Sequence, residues 1–249
     1  SALVSEDCWQ ATPGKVVDLV RNLGIAAGGT VMEDCRVLEA CREGKYTSVL
    51  VQTHDKKYVE YRTEHFVNAL GSGAGKLCDS MGIDAGLYPV RHQAFITRRL
   101  PMLGKHGTNL DMLIDRQDYK GFSAVYGQQI AYTGQIIGCA SPKLDAMRID
   151  KNLKVNTKAF LEIVSEMFSE WIPDLAGVGI QAVWAGYYTE PRYIVDPELG
   201  LFVGMRGHGF MLSQYIARMY VDKLLGRPVP EYFEKLKLNG PGLSEKAFK

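Results

Sequence analysis

A cluster of glycines between an apolar strand and a long helical pattern constrains this chain more than any other feature. Leu201–Val203 reads as a short buried strand, and Gly204, Gly207 and Gly209 follow at once. Phe210, Tyr215, Ile216, Met219, Tyr220 and Leu224 then recur at three- and four-residue steps, the period of a helix with one apolar face. Glycines at such a junction let backbone N–H groups approach a bound group closely, and the positive end of the helix dipole faces that group. Two readings are open here: a ligand cradle, or an ordinary tight strand-to-helix turn.

The rest of the chain supplies a setting for that junction. Pro13 after Thr12 starts a helix that Gly24 stops. Thr30–Met32, Cys35–Cys41, Tyr46–Thr53 and Tyr58–Arg62 read as a small antiparallel meander, and Phe66–Leu70 as a buried strand ending at Gly71-Ser72-Gly73 before an amphipathic helix. From Tyr88 the strands lengthen: Val90–Thr97, Met112–Asp115, Gly121–Tyr126 and Ile130–Gly138 predict a broad mixed or antiparallel sheet. Asn156 opens a helix whose Phe160, Leu161, Val164, Met167, Phe168 and Trp171 share one face until Pro173, and Val178–Tyr188 returns to strand. The last dozen residues read as a polar tail. The expected fold class is α/β (α+β): a large mixed sheet with helices packed on one face.

Charge and cysteine usage narrow the ligand. A net charge of +1, with basic and acidic residues interspersed, offers no electrostatic footprint for nucleic acid. Five cysteines form no C-x-x-C pair, which argues against a structural zinc site and a disulfide framework and for a reducing compartment, the cytoplasm or an organelle matrix. No apolar run approaches the ~20 residues of a spanning helix, and the N-terminus lacks the layout of a signal peptide. The abrupt start at Ser1-Ala2-Leu3, already folded in character, predicts a missing N-terminal portion.

Individual motifs carry little alone. Gly71-Ser72-Gly73-Ala74-Gly75-Lys76 falls one residue short of a phosphate loop, and Leu77 stands where a Ser or Thr would hold magnesium. Arg91-His92 lies inside a strand pattern, where a histidine is more often structural than catalytic. His208, between two glycines, is better placed, and Trp184, Tyr187, Tyr188 and Tyr193 either line a planar cofactor or fill a core.

Their order is more telling. S-E-D-C-W-Q-A-T-P (residues 5–13), R-V-L-E-A (36–40), F-V-N-A-L-G-S-G-A-G-K-L (66–77), Y-P-V-R-H-Q-A-F (88–95), W-A-G-Y-Y-T-E-P (184–191) and G-M-R-G-H-G-F (204–210) together resemble the D-amino-acid oxidase superfamily. The likeness is greatest to its glycine oxidase and sarcosine oxidase branch of FAD-dependent amine oxidoreductases. The family's N-terminal G-x-G-x-x-G fingerprint is not in this sequence, so the resemblance covers the later two-thirds of such an enzyme. It implies a remainder of the FAD-binding region at 1–87, a substrate-binding region at 88–195, and a C-terminal FAD-binding segment and tail at 196–249. The dinucleotide-binding half then belongs to a missing N-terminal part or to a separate subunit.

Position by position, the resemblance implies that Val37 meets the adenine through its backbone. Asn68, Ala69 and Gly71 pass the ribose and pyrophosphate, and Gly207, His208, Gly209 and Phe210 lie along the pyrimidine edge of the flavin. There the helix dipole favours charge collecting on the reduced ring. Gly186 stands where sarcosine oxidases carry the cysteine that bonds to FAD, so the flavin is expected to be non-covalent. Met211 replaces a lysine near the flavin, and Tyr188 stands close to a carboxylate-binding arginine of glycine oxidase. A simple amino acid carboxylate is then recognised only if Arg91, Arg192 or Arg206 substitutes for these residues. The expected activity is oxidation of an amine or amino acid by hydride transfer to flavin, with Arg91, Tyr187, Tyr188 and Arg206 in the substrate pocket and no metal. The alternative is a catalytically degenerate member serving as a scaffold or assembly subunit.

Overall fold

The structure is a computed structural model that describes residues 10–104, 110–116, 121–130, 133–142, 153 and 157–242. Helix α1 (Pro13–Ala26) begins at its proline, but the Thr12 side chain makes no capping bond. The helix runs through Gly24 and stops at Gly28, whose positive φ of 93° a glycine adopts without strain. None of α1 is buried, and Val17, Leu19, Val20 and Leu23 point their apolar side chains outward. The expected strand at 30–32 does not form, because a turn with Asp34 at φ 53° precedes the sheet.

The meander is β1 (Arg36–Glu43), β2 (Tyr46–Gln52) and β3 (Tyr58–Thr63), antiparallel throughout, with a bulge between Val37 and Glu39. Its inward residues Ala40, Val49 and Val51 pack on Leu77 of helix α2 (Ala74–Ser80), with Val37 half-buried at the margin. The strand expected at 66–70 reduces to one parallel bridge between Asn68 and Leu201. Asn68 is buried because its side chain is fully used: Nδ2 donates to the Ala74 carbonyl at 3.0 Å and Oδ1 accepts from Leu70 N–H at 3.3 Å.

The large sheet consists of β4 (Tyr88–Thr97), β5 (Leu113–Asp115), β6 (Phe122–Ile130), β7 (Gln135–Pro142) and β8 (Ile180–Glu190), in the order β5-β6-β7-β4-β8. Every pairing in it is antiparallel. The expected break before Ile130 is displaced: β6 continues to Ile130, and Gly134 at φ 67° turns the chain so that Gln135 pairs back onto Ile130. Helix α3 (Thr157–Trp171) covers one face; its expected first residue, Asn156, lies outside the described residues. Phe95, Val125 and Ile136 meet Phe160, Val164, Met167 and Phe168 there. The fit is close enough that a Cβ on Gly127 would sit 2.6 Å from the Phe168 ring, and one on Gly138 2.5 Å from the Phe95 ring.

The glycine junction forms as read. A hairpin of β9 (Ile194–Asp196) and β10 (Leu201–Val203) runs into a 3-10 turn at Arg206–His208 and then helix α4 (Gly209–Leu224). Ile216, Met219 and Tyr220 of α4 pack on Tyr193, Val195, Phe233 and Leu236. Residues 238–242 are not a loose tail. Arg192 donates Nη1 to the Gly240 carbonyl at 2.8 Å and Nη2 to the Leu238 carbonyl, fastening the segment to the hairpin; residues 243–249 lie outside the described residues. Among the described residues no helix is long and apolar enough to cross a membrane.

Candidate functional site

Strand alternation sorts the large sheet into two faces. Phe95 points to α3, so Arg91, Gln93 and Thr97 of β4 share that side, as do their neighbours Tyr187, Ala185 and Val183 on β8. His92 and Ala94 take the other side with Trp184, Gly186, Tyr188 and Glu190, and the pairing extends this face to Cys139 and Tyr126. The four expected substrate residues therefore divide. Tyr188 and Arg206 come together on the uncovered face, while Arg91 and Tyr187 stand behind it.

The uncovered face is polar and aromatic, and its parts touch. The rings of His92 and Tyr188 stack with centroids 3.9 Å apart and planes 28° apart. The Tyr188 and Tyr126 hydroxyl oxygens lie 3.4 Å apart. Arg206 Nε donates to Glu190 Oε2 at 2.5 Å, a half-buried ion pair that ties the 3-10 turn to the end of β8. Arg206 holds φ at 50°, a left-handed backbone costly for a residue with a side chain, and the ion pair helps to maintain it. A Cβ on Gly207 would come within 2.9 Å of Tyr188 Cε2, so glycine is needed for the turn to lie against the ring.

Burial sets the protonation states. It pushes the His92 imidazole down to about 4, with the Arg206 charge adding to the effect, so the ring is neutral at physiological pH. Burial likewise raises the Tyr126 and Tyr188 hydroxyls above their ordinary values and the Cys139 thiol to about 11, so all three keep their protons. His92 Nδ1 is buried and has no hydrogen-bond partner among the described residues.

Beside this face lies the glycine junction. Gly186 opens on empty space, with nothing within 4 Å of an added Cβ. The α4 N-terminus carries no side-chain cap and no acidic residue in its first turn, so the helix itself supplies no carboxylate to its positive end. His208 shares a 2.6 Å hydrogen bond through Nδ1 with the Tyr193 hydroxyl, which fixes the turn. Phe210 and Met211 are exposed at its rim, as are Ala69 and Gly71 at the first glycine turn, where Gly71 takes φ 53°. The glycine at Gly186 leaves room beside the turn, and the uncapped start of α4 lies next to it. The expected cofactor residues Gly186, Gly207, His208, Gly209, Phe210 and Met211 thus share one neighbourhood, whereas Val37 sits in the meander and Asn68 reaches the hairpin through its backbone.

The family model for FAD dependent oxidoreductases, DAO, matches residues 1–223. The chain belongs to this family. FAD is the family's cofactor, and the open, glycine-lined face is compatible with it. Among curated proteins none matches the chain. Solved structures share its fold: a glycine oxidase from Bacillus cereus at 18% identity and TM-score 0.67, covering 89% of this chain and 57% of its own. An iminodiacetate oxidase from a Chelativorans species matches at 14% identity and TM-score 0.66, covering 92% and 58%. A glycerol-3-phosphate dehydrogenase from Bacillus halodurans, complexed with FAD, matches at 13% and TM-score 0.58, covering 90% and 45%. The chain thus spans little more than half of the oxidases it matches. Since that fold also carries a glycerol-3-phosphate dehydrogenase, the fold alone does not name the substrate.

Glu190, Tyr126 and Cys139 were not singled out from the sequence, and His92 was read as structural. Extending the two-residue alternation from Tyr188 would have reached Glu190; Tyr126 and Cys139 join the face only through cross-strand pairing.

Proposed function

We propose that this chain forms the substrate-side face and flavin-facing turn of an FAD-dependent oxidoreductase that oxidises an amine or amino acid. The observation that carries the reading is the meeting of an open, glycine-lined sheet face at Gly186 with the uncapped start of α4 at Gly207–Gly209. FAD held there would supply an electron acceptor able to take a hydride from a substrate C–H next to nitrogen.

The chain's own residues bind, orient and exclude water. The Gly207–Phe210 turn offers backbone N–H groups and the helix dipole to the pyrimidine edge, and Met211 shields the rim. Gly186 carries no nucleophile, so the cofactor is held non-covalently. Ala69, Gly71 and the Val37 backbone would hold the nucleotide part of FAD, and Asn68 fixes the turn that carries Ala69 and Gly71. Tyr126 and Tyr188 keep their hydroxyl protons and donate them as hydrogen bonds to the substrate. Arg206, locked to Glu190, positions the turn and Tyr188, and Arg91 and Tyr187 brace the strand pair from behind.

We assign 88–195 to the substrate-binding region and 1–87 with 196–249 to the FAD-binding region. The dinucleotide fingerprint is supplied by polypeptide outside this sequence, in the same chain or in a partner subunit. The exposed apolar side of α1 supports such a covering element. Purified protein tests the reading: visible flavin absorbance that bleaches anaerobically with an amine supports it. Colourless protein, produced together with its dinucleotide-binding part, contradicts it.

A further inference from the structure

A carboxylate in a buried site needs a cationic partner, and the structure commits the three candidate arginines elsewhere. Arg206 is bound to Glu190 at 2.5 Å. Arg192 is spent on the Gly240 and Leu238 carbonyls. Arg91 is turned to the α3 side by its register with Tyr187. In their place the uncovered face presents the stacked His92 and Tyr188 rings, the Tyr126 hydroxyl and the exposed indole of Trp184. His92 is itself only 9% exposed and brings no charge. Aromatic faces repel carboxylates and attract ammonium groups and other rings.

We propose that this site takes an amine without a carboxylate, carrying an aromatic substituent, with the His92–Tyr188 stack and Trp184 as its specificity-determining wall. The inference rests on the proposed oxidoreductase function and narrows its substrate class. Tyr188 carries most of the selection, because its ring is stacked on His92 and its hydroxyl lies 3.4 Å from that of Tyr126.

The test uses the protein purified with its flavin and two probes, N-methylbenzylamine and N-methylglycine. Binding is followed by the flavin spectrum and by the fluorescence difference between the native chain and its Trp184→Phe variant. N-methylbenzylamine is expected to bind about tenfold or more tighter than N-methylglycine, and Tyr188→Arg to reverse that order by adding a carboxylate partner. Equal or tighter binding of N-methylglycine to the native chain overturns the inference, as does the absence of any response to N-methylbenzylamine. Protein without flavin contradicts the proposed function instead. The Trp184 fluorescence titration still ranks the two probes in that case, so the two failures are separable.

Discussion

The two faces of the five-stranded sheet are built on opposite principles. Where α3 covers it, one face packs aromatic and aliphatic side chains, with Phe95 and Phe168 edge to face at 5.4 Å and no room for a methyl group at Gly127 or Gly138. The other face is polar and aromatic, has an open position at Gly186, and buries a histidine nitrogen without a partner. One face anchors α3, and the other carries the His92 nitrogen that has no partner among the described residues. A buried polar atom without a partner costs on the order of 1–3 kcal/mol, so the His92 nitrogen on the open side marks a place where a further group is expected.

Substitutions can break or sharpen that contrast. Phe95→Ala empties the centre of the filled face and is expected to cost about 3–5 kcal/mol by urea unfolding. A loss below about 1 kcal/mol would mean that α3 does not anchor this sheet. His92 probes the other face through pH. Its imidazole sits near 4 when folded, against 6.5 ordinarily. Between those values the unfolded chain takes up the proton and the folded chain does not, so stability falls as pH drops through that window. The native protein should lose about 3 kcal/mol more than His92→Asn between pH 6.5 and pH 4, an order-of-magnitude figure from the size of that depression. Parallel stability curves for the two proteins would show that His92 is not desolvated. The smallest effect belongs to the Glu190–Arg206 pair, which is partly screened by solvent. Glu190→Gln should cost about 1–2 kcal/mol by thermal melting and loosen the turn, seen as faster amide exchange at Gly207. Unchanged exchange there would remove the pair from the site's architecture.

Much of this contrast was legible before the structure, and the reasons are physical. The β10–turn–α4 junction was read with its bounds because glycine placement and a 3.6-residue period are local signals. α3 was legible for the same reason. Ile130 was assigned to the wrong strand because the alternation runs on without interruption, and only the left-handed turn at Gly134 reveals the reversal. The partition of Arg91 and His92 to opposite faces was implicit in a strand period of two, but which face carries the helix depends on Phe95 meeting Phe160 and Phe168, residues more than sixty positions away. Tyr126 and Cys139 were hidden because they join the face only through pairing with other strands. The Arg192 contacts with Leu238 and Gly240 were hidden because backbone acceptors leave no trace in side-chain patterns.

A flavin is the proposed occupant of the open face. Gly186→Phe tests it most directly, because a Cβ added at that position has nothing within 4 Å among the described residues. Flavin content and melting temperature are measured together on the native protein and the variant, with flavin stripped from both for the melting comparison. The prediction is a variant that melts as the native chain does and retains little or no flavin. A variant that keeps its full flavin content and spectrum would contradict the assignment of this face.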